Sequence, residues 1–314
     1  MTEEIPEVTV VVPISERHDN LENLYHLYSS KLAQIGKTFE FLFIIDGHFP
    51  VAQEELQKLK KTGNAIKILK FPRSFGESAA LMEGFRSARG AIILTLASYI
   101  QVDSEDIPKL FSAYEEGYDL VISRRYPRID PILNRIQSRL YHYIVNKLTG
   151  CAFKDITCGA RLIKKNILSE FTLYGDLYRF IPVFAFRKGL KVTEVNVRQK
   201  KDDTELRLLR PGAYLRRLLD ILTLFFLVKF TRKPLRFFGL IGSTLLVLGA
   251  VITSYLGILR LLGQMGLANR PLLLLGIVLM VFGIQLFSVG LVGELILFTH
   301  AKELESYRIE EIIE

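Results

Sequence analysis

The sequence predicts an α/β fold, with a mostly parallel, Rossmann-like sheet in the first two-thirds of the chain and membrane-associated helices in the last third. Three observations support this prediction. Short β-branched runs alternate with segments of helical spacing as far as residue 122, residues 211–236 are basic and amphipathic, and residues 237–298 carry very few charges. Alternation of strands and helices is typical of a parallel sheet with helices on its faces.

Five segments are predicted to form strands because they are short and apolar: 8–12, 40–45, 66–71, 91–96 and 119–122. The nearly continuous apolar character of most of them is typical of strands that are buried on both faces. Helical spacing marks the segments between them, at 20–35, 52–61, 77–88 and 105–116. Ligands bind such sheets outside the carboxyl ends of the strands, so the residues that follow each strand form the candidate site.

Composition and charge restrict the class of protein. Two cysteines, Cys151 and Cys158, do not indicate a disulfide framework or a zinc site. The N-terminus is acidic and its first apolar run is short, so we expect a cytoplasmic domain without a signal peptide. Residues 198–236 hold eleven Lys or Arg against four Asp or Glu. This basic stretch predicts contact with an anionic membrane leaflet rather than with nucleic acid, and a solvated helix face is the alternative.

Residues 237–298 are predicted to form a transmembrane hairpin. The spans 237–262 and 272–298 each exceed the ~20 residues that cross a bilayer. Basic residues before the first span place both chain termini in the cytoplasm and make this a multi-pass protein of the inner membrane. Glycines along both spans favour close helix packing, and we expect them to make a homo-oligomer feasible. The predicted divisions are a domain at 1–210, a juxtamembrane region at 211–236, the hairpin, and a cytoplasmic tail at 299–314.

Several sequence blocks are more specific than these patterns. They are VVVPIS, FIIDG, PRSFGESAALMEGFRSARG, DITCGARLI, DLYRFIPVFAFRKGLKVTEVNVR, and LLDILTLFFL with PLRFFGLIG before the hairpin. Together they resemble the polyprenyl-phosphate glycosyltransferases of family 2, which include dolichol-phosphate mannose synthases and bactoprenol glucosyltransferases. The resemblance runs from Val8 to about residue 310. It implies a GT-A fold and the transfer of a sugar, with inversion, from a UDP- or GDP-linked donor to a polyprenyl phosphate.

The resemblance also assigns site residues by position. The donor nucleotide and its diphosphate are expected at Pro13, Ser15, Arg17, Asp46, Arg73, Gly76 and Gln101. The acceptor phosphate is expected at Arg125, Arg135 and Arg139, and Asp155 is the candidate general base. Asp46 has an alternative structural role as a cap of the turn that follows it. Each of the three acceptor arginines has the alternative of an ordinary surface residue.

The metal-binding motif of the family is altered. Members normally carry Asp-x-Asp-x-Gln after the fourth strand, and its carboxylates hold a divalent magnesium or manganese ion. Here Ala97 and Tyr99 occupy the aspartate positions and only Gln101 remains. One amide cannot assemble such a site, since these cations prefer carboxylate oxygens. Arg17 stands where a glutamate is usual, and the acids at 103–106 are interpreted as helix N-terminal residues rather than displaced ligands.

Two hypotheses follow from these substitutions. In the first, the protein transfers sugar without a tightly held metal, and Arg17, Arg73 and the lysines at 200 and 201 neutralise the diphosphate. In the second, it is a pseudoenzyme that binds a nucleotide, a lipid phosphate or a partner transferase without turnover. We favour the enzyme. A transporter or channel is disfavoured because the two spans contain very few polar residues.

Overall fold

The computed structural model divides into two units, and a seven-stranded sheet forms the centre of the first. The structure describes residues 5–170, 173–203, 219, 221–226, 233–263 and 271–299. The units are Met1–Ile221 and Leu222–Glu314. The predicted juxtamembrane region 211–236 and the tail 299–314 lie mostly outside the described residues. Their limits stay predictions.

The strands are β1 (Val8–Ile14), β2 (Phe39–Asp46), β3 (Ile66–Phe71), β4 (Ile92–Thr95), β5 (Leu120–Arg125), β6 (Arg161–Lys164) and β7 (Val192–Val197). They lie in the order β3-β2-β1-β4-β6-β5-β7. β6 runs antiparallel to β4 and β5, and the other neighbouring pairs are parallel. The prediction of a mostly parallel α/β sheet is confirmed, as are its five strands, while β6 and β7 are additional.

Six helices cover the sheet or connect its strands: α1 (Leu21–Gln34), α2 (Pro50–Lys61), α3 (Glu77–Ser87), α4 (Ile107–Glu115), α5 (Ile132–Thr149) and α6 (Ile181–Arg187). The first four match the predicted helical segments. Asn20 caps α1, because its side chain accepts the N–H of Asn23 at 2.7 Å. Asp103 caps the short 3-10 helix before α4 through the N–H of Glu105, which confirms its interpretation as a helix N-terminal acid.

The second unit contains two long apolar helices, α7 (Pro234–Leu261) and α8 (Pro271–Thr299). The most apolar windows of α7 and α8 have mean hydropathies of 2.0 and 2.6, with only 17% and 11% of their residues buried. A core helix of a water-soluble protein is mostly buried, so these two exposed apolar helices are candidate membrane spans. At 28 and 29 residues each is longer than the ~20 residues that a bilayer core requires. They begin and end within three residues of the predicted spans.

Glycines form the contact between α7 and α8. The buried positions include three glycines on each helix: Gly239, Gly242 and Gly249 on α7, and Gly276, Gly283 and Gly290 on α8. A Cβ on Gly242 would lie 2.7 Å from the carbonyl oxygen of Gly283. The predicted close packing therefore occurs inside the hairpin. These glycines are used by the intramolecular contact, so they no longer support the expectation of a homo-oligomer.

Glu294, an acidic residue near the end of α8, reaches the start of α7. Its Oε2 accepts the backbone N–H of Leu235 at 3.3 Å. The first N–H groups of a helix have no partner within the helix, and the N-terminus carries partial positive charge. The carboxylate therefore stabilises the first turn of α7.

Replacing Gly242 with alanine is expected to lower the stability of the hairpin, because the new Cβ meets the backbone of α8, which cannot move aside as a side chain can. Thermal denaturation of the full chain in detergent measures the effect as a loss of several degrees. Gly257→Ala is the matched control, since nothing lies within 4 Å of a Cβ at that position of α7. Equal melting temperatures for the two variants would contradict this packing.

Candidate active site

The loops that follow β1, β2 and β3 enclose a cavity at the carboxyl edge of the sheet. Its volume is about 180 Å³, and it is lined by Ser15, Glu16, Asp46, Ser74, Gly76, Glu77, Asp176 and Tyr178. The structure therefore brings together three of the residues assigned to the donor: Ser15, Asp46 and Gly76. Pro13 is buried near the end of β1, two residues before Ser15. Their roles in binding stay predictions.

Asp46, the last residue of β2, organises the loop that leads into α3. Its Oδ1 accepts the N–H of Phe75 at 2.6 Å, and its Oδ2 accepts the N–H of Gly76 and the hydroxyl of Ser74, both at 2.9 Å. Gly76 has a φ of +94°, a conformation that favours glycine. Asp46 thus caps the loop after β3 rather than the turn that directly follows it, and its contact with a nucleobase stays a prediction.

Arg17 lies over the ring of Tyr99, with its guanidinium carbon 4.5 Å from the ring centroid. The same guanidinium donates to Asp19 from Nε at 3.0 Å and from Nη2 at 2.7 Å. The Ser98 hydroxyl donates to the carbonyl of Arg17. The aromatic face attracts the cation. A positive charge is therefore held against the residue that stands at the second aspartate position of the family motif.

Gln101, the remaining residue of the metal motif, is committed to contacts within the protein. Its Oε1 accepts the N–H of Gly159 at 2.7 Å and the thiol of Cys158 at 3.4 Å. Its Nε2 donates to the hydroxyl of Tyr99 at 3.2 Å and to Oδ1 of Asp203 at 3.3 Å. Within the described ranges, no three His, Cys, Asp or Glu side chains converge as metal ligands. The residues present therefore do not fit the divalent ion that the family motif implies.

Arg125 is the centre of a buried ionic network. Its Nε and Nη2 donate to the two carboxylate oxygens of Asp155 at 2.8 and 2.9 Å, and its Nη1 donates to Asp203 at 2.8 Å. The three side chains are 7%, 3% and 1% exposed. Asp203 also accepts from Gln101 and Gln199. The network therefore ties the end of β5 to the segments before β6 and after β7.

The structure does not support the expected roles of Arg125 in binding the acceptor phosphate and of Asp155 as a general base. Burial alone would raise the pKa of Asp155, but the guanidinium groups of Arg125 and Arg128 hold that pKa well below its usual range. Both carboxylate oxygens also accept from Arg125, and the side chain is only 3% exposed, so the geometry does not support Asp155 as the general base. The Arg125 guanidinium, which also donates to Thr157 at 2.7 Å, is occupied by the protein rather than open to an acceptor phosphate.

Arg128 joins this network to α5. Its Nη2 lies 3.3 Å from Oδ2 of Asp155, and its Nη1 donates to the hydroxyl of Ser138 at 2.5 Å. His142, one turn further along α5, accepts the N–H of Ile156 at Nε2, 3.1 Å away. Its Nδ1 therefore carries the proton and donates to the carbonyl of Ser138 at 2.6 Å. Burial lowers the pKa of His142, which keeps the ring neutral.

Besides Arg17, which pairs with Asp19, three predicted arginines lie outside the cavity lining and the Arg125 network. Arg135 and Arg139 are on the exposed side of α5. Arg73 is exposed on the loop before α3, with its guanidinium carbon 5.0 Å from the ring centroid of Phe75. The structure therefore does not bring Arg135 and Arg139 together with Arg125, and their contact with an acceptor phosphate stays a prediction.

Glu77 and Tyr178 line the cavity but were not predicted from the sequence. Burial raises the pKa of Glu77, in spite of a hydrogen bond from Tyr178. The fully buried Arg161 holds this region together, since its guanidinium donates to the carbonyls of Cys158, Tyr178 and Ile156 at 2.9, 2.7 and 2.8 Å. Glu77, Arg161 and Tyr178 belong to the sequence blocks SFGE, GARLI and DLYRF. These blocks carried the family resemblance, and they meet beside the cavity.

Solved structures share this architecture. A crystal structure of glucosyl-3-phosphoglycerate synthase from Mycobacterium tuberculosis, in complex with Mn²⁺ and UDP-glucose, matches with a TM-score of 0.52. The match covers 70% of this chain and 79% of that chain, at 15% sequence identity. The fold is thus of the GT-A type, as the sequence predicted.

The domain is a glycosyltransferase domain, and the chain belongs to glycosyl transferase family 2, whose family model matches residues 9–172. A dodecaprenyl-phosphate galacturonate synthase from Rhizobium johnstonii is 27% identical over 95% of this chain and 89% of its own length. An undecaprenyl-phosphate 4-deoxy-4-formamido-L-arabinose transferase from Pseudomonas aeruginosa is 28% identical, over 98% of this chain and 90% of its own length. The predicted family is confirmed.

Replacing Asp155 with asparagine is expected to destabilise the domain by about 3–5 kcal/mol, because it leaves the buried Arg125 without its main counter-charge. Thermal denaturation of the full chain in detergent measures the loss. Glu83→Gln is the control, since Glu83 pairs with Arg86, whose side chain is 81% exposed, and such a pair contributes little.

The same comparison has a defined pH dependence. The folded pKa of Asp155 lies below its unfolded value of about 3.9, so its stabilisation is present above that pH and is lost as the pH falls through the folded pKa. The difference between wild type and Asp155→Asn is therefore expected to shrink in acid. A difference that stays constant from neutral to acid pH would contradict the buried ion pair.

Proposed function

We propose that this protein transfers a sugar from a UDP- or GDP-linked donor to a polyprenyl phosphate at the cytoplasmic face of the inner membrane. The observation that carries the proposal is the extent of the similarity to the two prenyl-phosphate enzymes. The alignment with the Pseudomonas aeruginosa transferase covers 98% of this chain, so it includes the hairpin as well as the sheet. A soluble donor and a membrane-bound acceptor require a catalytic domain that is held at the bilayer.

The proposed reaction is a single displacement at the anomeric carbon. An oxygen of the lipid phosphate forms a bond to this carbon, the bond from the carbon to the donor diphosphate breaks, and the nucleoside diphosphate leaves with the electron pair. The configuration is inverted. The lipid phosphate is already ionised at neutral pH, so the step places little demand on a general base. The low pKa of Asp155 is compatible with this chemistry.

Asp155 then acts as a positioning residue instead of a base. It holds Arg125 through two hydrogen bonds and lies 3.3 Å from Arg128. Arg128 is the better candidate for contact with the acceptor phosphate, since its side chain is 21% exposed whereas that of Arg125 is 7% exposed. A partly exposed guanidinium with a fixed orientation suits a phosphate through paired hydrogen bonds.

The donor diphosphate is proposed to be neutralised by side chains and not by a divalent ion. Three features support this. Gln101 has its amide oxygen bonded to Gly159, the two aspartate positions are Ala97 and Tyr99, and Arg17 is held over Tyr99. Arg17 is oriented by Tyr99 and by its ion pair with Asp19, and its guanidinium is proposed to help stabilise the charged leaving group.

Transfer is expected to persist in the presence of EDTA. The assay uses the full chain in bacterial membranes with labelled UDP- and GDP-sugars and polyprenyl phosphate, and it measures labelled lipid. Added manganese is expected to change the rate little. Loss of product in EDTA that manganese restores would contradict the metal-free site. Nucleotide binding without any product would instead indicate the pseudoenzyme.

Replacing Arg17 with glutamine is expected to lower the transfer rate by about 100-fold, a typical cost of removing one charge-stabilising group. The control is Arg86→Gln, because Arg86 is 81% exposed in the last turn of α3, away from the loops at the carboxyl edge of the sheet. Arg17→Lys keeps the charge without the planar fork and is expected to be intermediate. Equal rates for Arg17→Gln and wild type would remove Arg17 from the donor site.

A further inference from the structure

The exposed side of α5 is apolar. Ile132, Ile136, Leu140 and Tyr143 are 68%, 57%, 58% and 62% exposed. Their spacing of four, four and three residues places them on one face of the helix. We call these four residues the α5 stripe. A surface helix normally turns such residues toward the core, so this face requires an explanation.

The opposite side of α5 is already used by the fold. His142, Val145 and Thr149 are buried, and His142 bonds to the backbone of Ser138 and Ile156. The helix is therefore fixed with its polar histidine and threonine inward and the α5 stripe outward. A rotation that buried the stripe would break the hydrogen bonds of His142 and leave its ring nitrogens unpaired.

Positive charge flanks the α5 stripe. Arg135, Arg139 and Lys147 are exposed on α5, and residues 132–149 include no Asp or Glu. Large apolar side chains beside Arg and Lys, with acidic residues missing, are typical of helices that lie in the interface of an anionic membrane. The loop before α5 extends the surface, since Tyr126 is 58% and Ile129 is 43% exposed.

We propose that the α5 stripe, with Tyr126 and Ile129, docks the glycosyltransferase domain on the surface of an anionic lipid leaflet. The basic residues complement lipid phosphates, and the apolar residues enter the region below the headgroups. The occupant proposed is a membrane and not a protein, because α7 and α8 of the same chain are long and apolar enough to cross a bilayer. This contact is separate from the hairpin, and it does not depend on which sugar is transferred.

Arg135 and Arg139 acquire a role from this surface. The sequence assigned them to the phosphate of the acceptor lipid, and the structure places them on the exposed side of α5. On a docked domain, both guanidinium groups lie at the depth of lipid phosphates, which attract them electrostatically. Both arginines thus contact the phosphates of the leaflet in which the acceptor is dissolved.

The test uses the full chain, which has no tryptophan. Leu140→Trp introduces a unique fluorophore into the α5 stripe, and Tyr143→Trp provides a second position. Each protein is placed in nanodiscs of phosphatidylcholine and phosphatidylglycerol, with or without bromine on the acyl chains. Contact with lipid is expected to shift the emission to the blue and to remove roughly half of it in brominated discs, as for a side chain at the acyl boundary.

Lys61→Trp is the matched control. Lys61 is exposed at the end of α2, which joins β2 to β3 at one edge of the sheet, whereas β5 lies near the other edge. The emission of a tryptophan at position 61 is expected to be insensitive to bromine. Replacing both Arg135 and Arg139 with glutamine in the Leu140→Trp protein is expected to weaken quenching, and pure phosphatidylcholine is expected to do the same.

Two results would overturn the proposal. In the first, both stripe tryptophans are quenched no more than the control, which leaves the face in water. In the second, their emission is blue-shifted but insensitive to bromine, which places a protein on the face. Neither readout uses sugar transfer, so failure of the docking surface and failure of the proposed function are distinguishable.

Discussion

The buried contact of Arg125 with Asp155 and Asp203 constrains the rest of the catalytic domain. A guanidinium that is only 7% exposed must be paired, because an unpaired charge in the interior is very costly. The two carboxylates come from segments 30 and 78 residues away along the chain. One side chain therefore fixes the segment before β6 and the segment after β7 against the end of β5. Any role of these segments in binding depends on that contact.

The same network also fixes the side chain of Gln101. Asp203 accepts from Nε2 of Gln101, and this orients the amide so that its oxygen meets the backbone of Gly159. In the proposed site a guanidinium, that of Arg17, replaces a divalent ion together with the carboxylates that would hold it.

The sequence predicted the strands that are continuous apolar runs, and it did not predict β6, whose four residues Arg161–Lys164 include two cations. It also did not predict α5, although Ile132, Ile136, Leu140 and Tyr143 recur at helical spacing. That this apolar face lies outward depends on the bonds of His142 on the other face, which sequence patterns do not show. In the candidate site, the order of strands along the chain was enough to predict that Asp46 and Gly76 lie at the carboxyl edge of the sheet. It could not pair Arg125 with Asp155, since contacts between distant segments are decided only when the sheet forms.

The buried network and the proposed docking surface meet on α5. Arg128 donates to Ser138 on this helix while it lies 3.3 Å from Asp155, and His142 joins the helix to the backbone of Ile156. The stripe on the outer side of the same helix is where lipid contact is proposed. Arg128 and His142 therefore connect the helix that is proposed to meet the leaflet with the segment that carries Asp155.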